Sequence, residues 1–175
     1  MKRTFHLDRR APLPVGHAEA DTIVATARAL VGTPFHHQAR LPGVGVDCVG
    51  VPILVARIMG YVPPDFDVTG YTRMPDGRLL QLMDTHLVRI EEAQMTAGDV
   101  ITVAVDPHST NPDPQHVGIL VPYRHGGLAI VHATSHHGRV VEQPLVFGPT
   151  LQFRAVHRFP AVAAWRDEQP VGGAA

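Results

Sequence analysis

The apolar positions along the chain follow two regimes. In the first half they recur at helical spacing. Ile23, Ala27, Leu30 and Val31 share one face of a helix predicted over Ala18 to Leu30, and Gly32 ends it. Thr33 to Val46 is rich in Gly, Pro and His and reads as a loop. Asp47, a good N-cap, then precedes an apolar run from Cys48 to Met59, closed by Gly60. Apart from Arg57 the run has no polar face, and its length favours a buried helix over a buried strand. Pro52 fits such a helix in its first turn, or else it delays the start. A loop over Tyr61 to Pro75 follows, and Asp76 caps a short helix through about His86.

In the second half the pattern is that of strands. Val100 to Val105 follows the turn pair Gly98-Asp99. Val117 to Val121 is a second strand, Arg124 to Gly127 a hairpin turn, and Leu128 to Ala133 the return. Gly138 to Leu145 and Leu151 to Phe159 complete the set. Strands at this spacing with short turns predict an antiparallel sheet. Helices first and strands later make the fold class α+β, without βαβ alternation.

Composition narrows the function classes. The 175 residues suit one domain, read here as residues 17–166, with an N-terminal arm over 1–16 and a polar, small-residue tail over 167–175. Hydrophobic residues are 45% and charged residues 18%, which excludes a disordered chain. The formal net charge of −1 supplies no basic field for nucleic acid or anionic lipid. Met1 to Arg10 is charged and lacks an apolar run, so no signal peptide is expected and the chain is read as made in the cytoplasm. No stretch approaches the roughly 20 apolar residues of a membrane span. Sixteen Gly and sixteen Pro predict many loops and short elements.

One cysteine rules out an internal disulfide and a Cys-based zinc site. That cysteine, Cys48, stands at the mouth of the second predicted helix. A helix N-terminus offers partial positive charge and free N–H groups, which lower a thiol pKa and can hold an acyl-transfer oxyanion. A lone cysteine is more commonly a core residue. The histidines alter that balance. His116 opens one strand and His132 lies in the next, across a single hairpin. By alternation His116, Gly118 and Leu120 share a face, as do Leu128, Ile130 and His132. Antiparallel pairing brings the two imidazoles together. If the Cys48 helix packs against that surface, the thiol, a base and an orienting group meet.

The other histidines make no metal site on this reading. Neighbours in His36-His37 and His136-His137 point to opposite faces of a strand, and no cysteine or carboxylate pattern completes a set. His36, His37, Gln38 and Arg40 are either groove-lining or solvated loop residues. Asp47 is read as helix cap and substrate contact together, its charge favouring the helix while opposing a thiolate. Asp106 to Gln115 is either a lid or a plain connection.

Five short motifs stand in order: Val31-Gly32-Thr33-Pro34-Phe35, Gly45-Val46-Asp47-Cys48-Val49-Gly50, Gly98-Asp99-Val100, His116-Val117-Gly118-Ile119 and Val131-His132-Ala133. Over about Ala27 to Leu145 the chain thereby resembles the NlpC family of cysteine peptidases. Thr33 to Arg40 more closely resembles the branch found in phage tails and phage-like gene transfer particles. The resemblance implies a reduced papain-like fold, the nucleophile helix packed on a five- to six-stranded antiparallel sheet. It implies Cys48 as nucleophile, His116 as base and His132 as third polar residue, without metal or other cofactor. The implied reaction is hydrolysis of a peptidoglycan stem-peptide amide, such as D-glutamate to a diamino acid, with tail-tip or hub proteins as partners. Asp47, Phe35 and Val49 are the implied substrate-side residues, and His37 joins them from its place in the loop before Cys48. Two depart from the family pattern: Val49 stands where a serine is common, and Phe35 near where a tyrosine is common. The alternative is a tail-tip assembly protein that keeps the fold with little activity.

Overall fold

A computed structural model of the chain describes residues 18–72, 75–105 and 111–160. The proposed arm over 1–16, the tail over 167–175 and the first part of the Asp106 to Gln115 loop lie outside the described residues. Among those described, three α-helices come first and a six-stranded antiparallel sheet follows. The helices are α1 (Ala18–Ala29), α2 (Gly50–Ile58) and α3 (Arg78–His86). None is long and apolar enough to cross a membrane.

The second helix starts later than the apolar run suggests. Asp47 caps it from a distance: Oδ1 accepts the N–H of Gly50 at 2.8 Å, and its backbone oxygen accepts that of Val51. Cys48 and Val49 therefore form the turn before the helix. Pro52 is the third helical residue, where its missing N–H costs no intrahelical bond. Seven of the nine residues are buried, from Gly50 to Ala56. Burial of a large apolar side chain contributes about 1.5–3 kcal/mol, against a propensity cost below roughly 0.7 kcal/mol for a Val or Ile in a helix. Packing decides the conformation.

The loop over 33–46 contains a small hairpin, β1 (Arg40–Leu41) and β2 (Gly45–Val46). A Cβ on Gly45 would lie 2.8 Å from His36 Cδ2, so only glycine admits that ring. The main sheet comprises β3 (Val88–Ile90), β4 (Val100–Ala104), β5 (His116–Pro122), β6 (Leu128–Thr134), β7 (Arg139–Pro144) and β8 (Gln152–Arg158). Its order is β3-β8-β4-β5-β6-β7, so β8 leaves its sequence neighbour and crosses to pair with β4 and β3. Arg158 at the end of β8 closes this crossing with a fully buried bidentate pair to Asp99, at 2.7 and 2.9 Å.

Both faces of the central strands are covered. Val117, Ile119, Val121, Ala129 and Val131 pack with Ile23, Ala27, Val51 and Val55 of the helices. Ile101, Val103, Leu120, Ile130 and Val156 form a second core on the other face, with Met95, Leu151 and Phe153 against it.

Candidate active site

The β5–β6 hairpin is paired from Pro122↔Leu128 to Ile119↔Val131. His116 and His132 lie beyond the last pair, in the open end of the hairpin. Gly118 lets the strands fit there, since a Cβ would stand 2.6 Å from Ile130 Cγ1 and 2.8 Å from the oxygen of Val131. The two imidazoles meet: His116 Nε2 is 2.6 Å from His132 Nδ1, and the rings stand edge to face. On the far side, His132 Nε2 is 2.7 Å from Oε1 of Gln143 on β7. His116 and His132 are both buried.

The route by which Cys48 joins them differs from the sequence expectation. By alternation the histidines share the face of Leu120 and Ile130, whereas α2 packs on the opposite face, that of Val117 and Val131. The groups meet at the end of the sheet. Cys48, in the turn before α2, has the backbone N–H of Val117, the residue next to His116, acting on its thiol in the direction that favours the thiolate. One cavity of about 470 Å³ is lined by Cys48, His116 and His132 together. Phe35, His37, Asp47 and Val49 line it too, so all seven sequence-nominated residues reach one space.

Their roles in it are unequal. Val49 is 1% exposed and separates this cavity from an apolar one beneath α2 and α3. Asp47 is also 1% exposed, and its oxygens are committed. Oδ1 accepts from Gly50 N and Arg40 Nη1, at 2.8 and 2.9 Å; Oδ2 accepts from Gln38 N and Tyr71 Oη, at 2.7 and 2.6 Å. Four donors use the four lone-pair positions of a carboxylate, and His37 Nδ1 stands 3.4 Å away. Asp47 thus organises the site and keeps no acceptor for a substrate. Arg40 is no solvated loop residue: its side chain is 8% exposed and bridges Asp47 to Asp67. Tyr71 also lines the cavity, its hydroxyl held between Asp47 Oδ2 and Arg40 Nη2.

The electrostatics also correct an expectation. Asp47 takes the N–H groups of Gly50 and Val51, the first two of α2, and Cys48 lies outside the helix, so the helix N-terminus does not outweigh the effects that favour the thiol. Burial first, then the negative charge of Asp47, push the Cys48 thiol up to about 12. The N–H groups of Val117, Val49 and Cys48 itself oppose this. Burial, then His132, push His116 down to about 3. Burial also lowers His132, against the hydrogen bond of Gln143. At neutral pH the resting site holds a thiol beside neutral imidazoles, so sulfur attack requires proton transfer to a base during the reaction. Alkylation by iodoacetamide follows the thiolate fraction and rises about tenfold per pH unit through pH 9. Cys48 is the one cysteine, so mass spectrometry reads this directly. A rate already level between pH 5 and 8 would contradict a neutral thiol.

No family model matches the chain, and no curated protein matches it in sequence. Solved structures match its fold. NlpC2 from Trichomonas vaginalis aligns with TM-score 0.59 and 18% identity, over 86% of this chain and 50% of that one. An NlpC/P60 family protein from Bacillus cereus aligns with TM-score 0.55 and 20% identity, over 89% and 44%. An N-acetylmuramoyl-L-alanine amidase from Bacteroides uniformis aligns with TM-score 0.54 and 10% identity, over 82% and 99%. The chain spans about half the length of the first two. These likenesses establish the fold: three helices and a six-stranded antiparallel sheet in the α+β, papain-like arrangement of NlpC/P60 domains.

Proposed function

We propose that this protein is a thiol hydrolase that cleaves an amide bond in peptidoglycan stem peptides, such as that between D-glutamate and a diamino acid. One observation carries the reading: Cys48 and the hydrogen-bonded pair His116–His132 line one cavity on an NlpC/P60 fold. Its volume suits a short peptide segment. Cys48 Sγ attacks the carbonyl carbon while His116 takes the thiol proton. The carbonyl π electrons move to oxygen, then return as the C–N bond breaks. His116 gives its proton to the departing amine, leaving a thioester on Cys48. His116 next deprotonates water, which attacks the thioester carbon. The acid is released and the proton returns to sulfur. His132 accepts a hydrogen bond from the His116 ring throughout and holds its orientation.

We place the protein in the tail of a phage-like particle, assembled in the host cytoplasm with tail-tip or hub proteins, on the resemblance of Thr33 to Arg40 to that branch. The reading is tested with purified muropeptides and the full chain between pH 5 and 9. A new free amine and a stem peptide cut at one bond are expected by mass spectrometry. Intact muropeptides at every pH, together with stable capture of tail-hub proteins, would replace the hydrolase by the assembly protein.

A further inference from the structure

We propose that Gln143 is a positioning residue that sets the tautomers of both imidazoles and thereby decides which nitrogen of His116 is the base. The inference takes its consequence from the thiol-hydrolase reading, while its premise is geometric. Gln143 lies on β7 opposite Ile130, and so on the same sheet face as His132. Its Oε1 is 2.7 Å from His132 Nε2.

An amide oxygen only accepts, so the hydrogen of that bond is on His132 Nε2. A neutral imidazole carries one hydrogen, so His132 Nδ1 bears a lone pair and accepts. The atom facing it at 2.6 Å, His116 Nε2, therefore donates. His116 is neutral too, and its one basic nitrogen is Nδ1. When Nδ1 takes the thiol proton, the Nε2–H bond to His132 is kept and becomes charge-assisted. A donor in place of the Gln143 oxygen would reverse each step. His132 Nε2 would accept, His132 Nδ1 would donate, and His116 Nδ1 would already carry hydrogen and be unable to receive the thiol proton.

The experiment joins ¹⁵N NMR of the histidine rings to kinetics of the full chain. Both His116 and His132 are expected with hydrogen on Nε2. Gln143→Leu removes the acceptor, mixes the His132 tautomers and lowers kcat about tenfold at unchanged KM, the loss expected for about one hydrogen bond to a partner of the base. Gln143→Glu still only accepts and restores kcat on the alkaline side. Its carboxylate favours a charged His132, whose two N–H groups deny His116 an acceptor, so the acid limb of kcat/KM moves to higher pH. His116 and His137, whose charges bear on His132, and Cys48 and His136, which line the same cavity, are unchanged in both variants. Hydrogen on His132 Nδ1 in the native protein overturns the proposal whether or not the protein cleaves anything. A kcat loss in Gln143→Leu with native tautomers overturns it as well. Native tautomers as expected, in a protein that leaves muropeptides intact, remove the hydrolase reading and leave the tautomer relay standing.

Discussion

Cys48→Ala is expected to lose on the order of 10⁴–10⁶ in kcat, because it removes the atom that forms the covalent intermediate. His116→Ala is expected to lose about 10³–10⁴, more than general-base loss usually costs at its lower end, because the resting thiol is neutral and has no thiolate population to fall back on. His132→Ala is expected to lose only about 10², since it orients and polarises His116 without holding the transferred proton. The order follows from the geometry: His132 touches His116 at 2.6 Å and Gln143 at 2.7 Å, so its imidazole acts through its neighbour. Released amine quantified from a defined muropeptide checks the series, with circular dichroism confirming that each variant is folded. Any two of these losses should not sum in the corresponding double variant, because the residues act as a unit. Equal and total loss in both histidine variants would contradict the division of roles.

The parts of the molecule that were legible in the sequence are those coded by local pattern. Helical spacing located α1, and the turn at Arg124 to Gly127 located the β5–β6 hairpin that brings the histidines together. Alternation could not say which face of that hairpin the Cys48 segment would cover. Both faces of β5 and β6 are buried and apolar, so neither face is marked as the inner one. The two-residue strands β1 and β2 and the three-residue β3 are too short to show a period. Gln143 sits among Glu142 and Pro144 with no motif around it, and its meaning comes from a diagonal relation across β6 and β7. Arg40 and Tyr71 are 31 residues apart and converge on Asp47 only in three dimensions. Local pattern leaves the start of α2 open, in the first turn around Pro52 or delayed, because Asp47 caps Gly50 through its side chain and leaves two residues free to turn before the helix. That offset takes Cys48 out of the helix and to the end of the sheet.

Asp47→Ala is expected to destabilise the fold by about 3–5 kcal/mol, the cost of stripping one partner from a buried, hydrogen-bonded charge pair. Four donors lose their acceptor at once: Gly50 N, Gln38 N, Arg40 Nη1 and Tyr71 Oη. Arg40 retains Asp67, but that carboxylate is 35% exposed and meets only Nε. Asp47→Asn is the more informative variant. It keeps the side-chain volume and one acceptor oxygen, and it turns the other oxygen into a donor facing donors, so part of the loss remains. Its effect on the thiol has the opposite sign. The negative charge of Asp47 holds the Cys48 thiol up, so a neutral amide lowers the thiol pKa and speeds alkylation at a fixed pH. Urea unfolding and iodoacetamide kinetics on the same preparation separate the two effects. The expected result is a protein less stable than the native one whose folded form carries a more reactive cysteine. A stability equal to native would show that the network around Asp47 contributes nothing. A slower alkylation at every pH would show that its charge does not act on the sulfur.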